Sequence, residues 1–158
     1  MMQLNSSPSG WMQPLSDMIV AAGARGGFFV ALHEYRPTLV RQLANNLGFT
    51  FFDFREEKLL PLGWEAAHLP LADLSQEISE RSPSGGLVVH NAEALLAAKQ
   101  AIERQAWLKA FCEHDWPGPV IIPISVFQGD LPHIPSRFHR VDPDHIPDES
   151  LLLRLASQ

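Results

Sequence analysis

The sequence predicts an α/β fold, a three-layer αβα arrangement around a mainly parallel, five-stranded sheet. Three observations predict it. Apolar runs of strand length, such as residues 28–32 and 120–127, alternate along the chain with segments whose apolar residues recur at helical spacing. These runs are unbroken and do not alternate in polarity, as expected of strands covered on both faces. Clusters of Gly and Pro, Ser82-Pro83-Ser84-Gly85-Gly86 and Pro117-Gly118-Pro119, separate the segments. Strands joined through helices require right-handed crossovers, which make the strands parallel and lay helices over both faces.

Residues 1–14 are polar and rich in Ser, Pro and Gln, and are expected to form a flexible arm whose end Trp11 and Met12 pin to the core. Residues 15–158 then make a single domain. Its first element is a short helix over 15–22, stopped by Gly23, and its first strand is 28–32. A helix over 38–47 follows, closed by Gly48. The second strand, 49–54, carries Phe49, Phe51, Phe52 and Phe54; with only Arg55 and Lys58 nearby, these aromatics are expected to pack in the core and not to stack on bases. Residues 59–70, punctuated by proline, read as a loop that holds Trp64, either as a contact residue for a partner or folded back as a lid. A helix over 71–81 leads to a third strand at 87–90. One long helix is expected over 92–114, with Ala94, Leu95, Ala98, Ile102, Ala106 and Leu108 on its apolar face. A fourth strand at 120–127, a fifth at 138–142 and a last short helix at 147–156 complete the pattern.

A chain of 158 residues, 46% hydrophobic and 19% charged, fits one globular domain. No run approaches the roughly 18 apolar residues needed to span a bilayer, and the first residues lack a basic end followed by an apolar stretch. The single Cys112 excludes an internal disulfide. Flanked by Trp107, Leu108 and Phe111, it reads as a buried thiol and not as a nucleophile activated by His114. These features lead to the expectation of a cytoplasmic protein without membrane contact. The net charge of −6 argues against a broad nucleic-acid surface, because duplex binding rests on Lys and Arg neutralising phosphates.

Between the first strand and the following helix lies Ala31-Leu32-His33-Glu34-Tyr35-Arg36-Pro37-Thr38. A phosphate-binding loop at such a place reads G-x-x-x-x-G-K-[ST], its glycines letting backbone N–H groups cradle phosphate and its lysine reaching the β and γ oxygens. Here Ala31 and Arg36 stand at the glycine positions and Pro37 at the lysine, so an ammonium and a backbone donor are both lost. Thr38 alone matches, and it is expected first as a helix N-cap. Further on, Leu87-Val88-Val89-His90-Asn91-Ala92-Glu93-Ala94-Leu95-Leu96 is an apolar strand followed by a polar pair and an acidic continuation. The stretch 119–127 is a second apolar strand ending near Ser125, and Ser136-Arg137-Phe138-His139-Arg140-Val141 follows it.

In order and spacing these stretches resemble the core of AAA+ ATPases, of the P-loop NTPase class, over roughly residues 28–142. The resemblance makes His90 and Asn91 the counterparts of the Walker B Asp and Glu, which order magnesium and polarise the attacking water. It makes 119–127 the sensor-1 strand, of whose polar end only Ser125 remains, and it makes Arg137, with Arg140 beside it, the match for a finger reaching a neighbouring subunit's nucleotide. Arg137 has a structural alternative, as a helix cap or a partner for Asp130. No lid domain is expected after the core. All departures run one way, so the resemblance implies a pseudo-ATPase. Its degenerate site comprises Ala31, His33, Arg36, Pro37, Thr38, His90 and Asn91, with no cofactor and no metal. Its expected role is that of an interaction, scaffold or regulatory subunit whose partner is a protein, an active ATPase or like subunits.

Two rival readings remain open at this point. One is an enzyme that binds a phosphate-bearing ligand through Arg36, with His33 or His90 transferring a proton. The other is a nucleic-acid adaptor, which requires the arginines to converge on one face. A polar cluster of His33, Glu34 and Asp53 at the strand ends suits acid/base chemistry or an emptied pocket equally. His133, His139 and His145 lie among Asp130, Asp142, Asp144 and Asp148, but their spacing of six and the four prolines of the stretch, Pro132, Pro135, Pro143 and Pro147, argue against a zinc site.

Overall fold

The computed structural model describes residues 10–82 and 85–145. The helix expected at 147–156 lies outside the described residues, as does most of the expected arm. Five strands, β1 (Gly26–Ala31), β2 (Thr50–Asp53), β3 (Leu87–His90), β4 (Pro119–Ile124) and β5 (Phe138–Arg140), form one sheet in the order β2-β3-β4-β1-β5, and every pairing is parallel. Helices α1 (Gln13–Ala21), α2 (Pro37–Leu47), α3 (Leu71–Arg81), α4 (Glu93–Leu96) and α5 (Ala101–Glu113) surround it. The architecture is α/β, with helices over both faces of a parallel sheet.

The side-chain alternation of the strands divides the core in two. Phe28, Val30, Val88 and Ile121 point to one face, where Leu15 and Ile19 of α1 and Leu39, Leu43 and Ala44 of α2 cover them. Phe29, Leu87, Val89, Val120 and Ile122 point to the other, against Leu74 and Ile78 of α3, Leu95 and Leu96 of α4, and Leu108 and Phe111 of α5. The expected aromatic run divides likewise: Phe52 and Phe54 are fully buried on the second side, while Phe49 and Phe51 are partly buried on the first. Before α1, Gly10–Met12 forms a short 3-10 turn that brings Met12 into the core.

The expected long helix at 92–114 is two helices. Gln100 is extended (φ −75°, ψ 156°), and the Arg104 guanidinium donates to the Lys99 carbonyl at 2.6 Å, holding the chain in a turn between α4 and α5. The registration of α5 differs accordingly from the expected stripe. Trp107, Leu108, Phe111 and Cys112 face inward, whereas Ala98 and Ala106 are exposed and Ile102 is 77% exposed. The Trp107 indole N–H donates to Ser75 Oγ at 2.8 Å and that of Trp116 to the Phe111 carbonyl at 2.9 Å, so both large rings enter the core with their polar atoms satisfied. Cys112 is buried, and burial raises its thiol pKa, as suits a packing residue.

Three strands are shorter than expected: β2 spans only Thr50–Asp53, β4 stops at Ile124, and β5 at Arg140. Within β4, Pro123 sits in the sheet interior, where proline is rare because it gives the ladder no donor. The Ile124 carbonyl accepts from Leu32 N on the β1 side at 2.8 Å, so by alternation the nitrogen of Pro123 faces β3. Pairing of β3 with β4 accordingly extends only from Leu87↔Val120 to Val88↔Ile121, leaving Val89 and His90 unpaired on that side. The sheet opens there.

Close packing of β1 on α5 depends on Gly27. A Cβ at this position would lie 2.7 Å from the Phe111 ring and 2.8 Å from its carbonyl oxygen, and that ring is itself stacked on Trp107 and packed at a tilt on Phe29. Gly27→Ala is therefore expected to cost about 1–3 kcal/mol through overpacking. Urea unfolding monitored by far-UV circular dichroism reads this as a lowered midpoint at an unchanged m-value.

Candidate functional site

Neighbouring strands β1 and β4 send their chains to opposite faces: β1 leads to α2, while β3 and β4 continue on the face of α4 and α5. Parallel α/β sheets bind ligands at such a switch, in the crevice beyond the strand carboxyl ends. A pocket of about 310 Å³ lies there. Leu32, Tyr35, Arg36 and Val40 line it from the β1–α2 side, His90, Asn91, Glu93, Ala94 and Ala97 from the β3–α4 side, and Pro123, Ser125, Val126 and Phe127 from the end of β4. Its walls are largely apolar, and its mouth carries exposed apolar groups, Tyr35 at 60% and Val126 at 72% exposure.

His90, at the end of β3, is buried to 4% exposure. Its ring packs near-parallel on Tyr35, at 5.7 Å between centroids, and tilted on Phe51 at 5.4 Å. The Tyr35 hydroxyl is 3.4 Å from Nε2. Burial lowers the His90 pKa, Asp53 opposes that shift, and Arg41 adds to it. The neutral imidazole is thus the favoured form.

Asn91 takes a left-handed conformation (φ 65°), which asparagine tolerates better than most residues. Its amide Nδ2 donates to Asp53 Oδ1 at 3.1 Å, and the same oxygen accepts from Glu56 N at 3.1 Å. Asp53 is thereby committed to holding the ends of β2 and β3 together. His33 and Glu34 are exposed, and among the described residues no hydrogen bond or ion pair joins either to Asp53. The sequence cluster of these three residues is not assembled.

The residue that organises the site is Glu93, which sequence reasoning noted only as part of an acidic continuation. Its Oε1 accepts from Ser125 N at 2.8 Å and Ser125 Oγ at 3.2 Å, and its Oε2 accepts from Val126 N and Phe127 N, both at 2.9 Å. Three consecutive backbone N–H groups freed by the end of β4 thus form an anion-binding nest that an internal carboxylate fills. The signal available beforehand was the position of Glu93 at the start of a helix beside a strand end. Its four partners lie more than thirty residues away, so only folding brings them together.

Ala31 is the fully buried last residue of β1, its carbonyl accepting from Val141 N at 3.0 Å. Arg36, with extended φ −134°, occupies the N-cap position of α2, Pro37 is the first helical residue, and no side chain caps the helix. The expectation of Thr38 as N-cap is corrected: it lies within the first turn, and the proline's preset φ starts the helix in its place. Arg36 Nε is buried without a hydrogen-bond partner, and among the described residues the guanidinium has no acidic partner. The structure brings Arg36, His90 and Asn91 to one crevice and leaves His33, Pro37 and Thr38 outside its lining.

Arg137 lies toward the opposite end of β1. It donates to the Arg25 carbonyl at 2.9 Å, stacks over Phe28 at 4.7 Å, and occupies the space where a Cβ on Gly26 (φ 94°) would stand. Asp130, its suggested partner, is held by Arg104 at 2.9 Å and Gln105 at 2.8 Å, hydrogen bonds that lower its pKa. Arg140 is exposed at the carboxyl edge and bonds Gln128 Oε1 at 2.6 Å, while Gln128 Nε2 donates to the Leu32 carbonyl at 2.9 Å. Trp64 is 96% exposed and does not fold back as a lid. Among the described residues no group of three potential metal ligands comes together, and no helix is long and apolar enough to cross a membrane. No family model, no curated protein and no solved structure matches the chain.

Removing the Glu93 carboxylate leaves three backbone donors at the end of β4 without their acceptor, those of Ser125 and Phe127 partly buried. Glu93→Ala is expected to cost about 2–4 kcal/mol in chemical unfolding, with Glu93→Gln intermediate because one oxygen remains to accept. An exposed control, Glu34→Ala, is expected to leave the midpoint unchanged. A second expectation concerns pH. Burial depresses the folded pKa of His90, and also of His139, below the ordinary 6.5. Between the folded and unfolded values the unfolded chain binds more protons, so stability is complete above about 6.5 and falls as pH drops through it. Unfolding midpoints measured from pH 7.5 to 5 are expected to decline, and His90→Gln to flatten the decline. An NMR titration of His90 with its midpoint at or above 6.5 refutes this.

Proposed function

We propose that this chain is a catalytically inactive, AAA+-like domain that works through protein–protein contact, as a scaffold or regulatory subunit. The observation that carries the proposal is the state of the polar groups at the β3 end. A hydrolytic site there needs one carboxylate for the magnesium shell and another free to orient water. The positions hold a buried neutral imidazole and an amide tied to Asp53, and the nearby Glu93 is saturated by four hydrogen bonds. The strand order also supports kinship with that family, since β4 lies between β1 and β3 and its end meets both at the crevice.

A finger role in trans is better supported for Arg140 than for Arg137. Arg140 is exposed at the carboxyl edge, whereas Arg137 is half-buried and its guanidinium packs on Phe28 and Gly26. The nucleic-acid reading loses support from the placement of the arginines. Arg41 covers Phe51, Arg81 covers Phe52, Arg104 is paired with Asp130, and Arg137 sits away from Arg140, so they do not form one basic face. The phosphate-ligand reading keeps one supporting observation, the unpartnered Nε of Arg36 beside the crevice.

Isothermal titration of the purified protein with Mg·ATP, alongside a phosphate-release assay, tests the proposal. The expected result is neither binding below about millimolar nor release above background. Tight Mg·ATP binding with turnover that Thr38→Ala abolishes would overturn it.

A further inference from the structure

The crevice and the Trp64 loop are complementary, and we propose that they meet between two copies of this chain, Trp64 entering the crevice of the next copy while Glu65 pairs with its Arg36. This inference rests on the interaction-domain reading and names the partner.

On the receiving side, the crevice has largely apolar walls, an apolar rim of Tyr35 and Val126, and one cation, Arg36, whose Nε is buried with no partner. Its volume of about 310 Å³ lies at the lower end of ligand pockets, which run roughly 300–1,000 Å³. That suits one large side chain. The acid in its wall, Glu93, directs both carboxylate oxygens at three backbone N–H groups and the Ser125 hydroxyl, and among the described residues it forms no ion pair with Arg36. The occupant that fits is a large apolar group with a carboxylate next to it.

The chain displays such a group. After β2, residues Arg55–Leu59 make a π-helical turn and Leu60–His68 a kinked 3-10 segment in which no residue is buried. Gly63, with φ 56° and ψ −118°, breaks the segment at a conformation open to glycine and turns Trp64 outward. Trp64 is 96% exposed, Leu60 54% and Leu62 41%. Glu65 is exposed and has no ion pair or hydrogen bond among the described residues. Tryptophan and arginine are the residues that most often dominate interface energies, and an exposed tryptophan gains most from a desolvated pocket.

Loop and crevice are separate sets of residues of one chain, so the contact closes as a reciprocal two-fold dimer or runs head to tail, and in either case each contact needs one intact loop and one intact crevice. Sedimentation velocity across a concentration series is expected to show mass rising from one chain to two or more. Trp64→Ala, Glu65→Arg and Arg36→Glu should each weaken association about ten-fold or more, and the double variant Arg36→Glu/Glu65→Arg should restore it. Glu65 and Trp64 are solvent-exposed, so those variants test the contact without touching the core. A mixture of Trp64→Ala, which keeps the crevice, with Arg36→Glu, which keeps the loop, should form one contact, the second variant's loop in the first one's crevice, and stop at a 1:1 pair. A chain that stays single at every concentration, or a Trp64→Ala variant that associates like the parent, overturns the pairing and leaves the interaction-domain reading standing. Mg·ATP that dissolves the assembly and is hydrolysed overturns both.

Discussion

The Glu93 carboxylate holds the carboxyl edge of the sheet in one arrangement. Where β4 stops, three backbone N–H groups lose their ladder partners, and in a half-buried place each needs an acceptor. Glu93, reaching from the first turn after β3, takes all of them and the Ser125 hydroxyl as well. The turn it fixes presents Phe127 and Gln128, and Gln128 in turn bonds the end of β1 through the Leu32 carbonyl and the following strand through Arg140. Four of the five strand ends are thereby linked. The remaining one, β2, is joined through Asp53 and Asn91.

That arrangement satisfies most of the polar groups at the carboxyl edge of the sheet from within the chain itself. An open carboxyl edge exposes backbone donors and charged side chains that a phosphate and a metal ion would otherwise satisfy. Here the chain satisfies most of them itself. A carboxylate fills the nest, the Asn91 amide bonds Asp53 of the next strand, and a neutral imidazole packs beneath Tyr35. Arg36 is the exception, and its unmet Nε beside an apolar crevice is what directs attention to an acidic, apolar occupant.

The opening of that crevice has its own cause in the backbone. Pro123 denies β3 a donor at the level of His90, so the two strands part after Val88 and Ile121 while β4 stays paired with β1 to its end. An interior proline normally weakens a sheet. In this one His90 stays paired with Asp53 of β2 while its ring packs on Tyr35 and Phe51, and Pro123 itself becomes part of the crevice wall.

Sequence alone determined the α/β class, the five strands and the helices between them, because burial on both faces demands unbroken apolar runs and turns demand Gly and Pro, and both are local patterns. It also located Arg36, His90 and Asn91 at strand ends, where a parallel sheet gathers its loops. It did not reveal the break between α4 and α5, since the Arg104 contact with Lys99 that stabilises the turn costs no local propensity in Ala-rich sequence. Nor did it distinguish Arg137 from Arg140: three residues apart in the chain, they lie toward opposite ends of β1, one packed on Gly26 and the other beside Gln128. Glu93 and the exposed Trp64 belong to the tertiary structure for the same reason. Whether a carboxylate is free or saturated, and whether an indole is buried or in solvent, depends on groups distant in sequence that only the folded chain sets side by side.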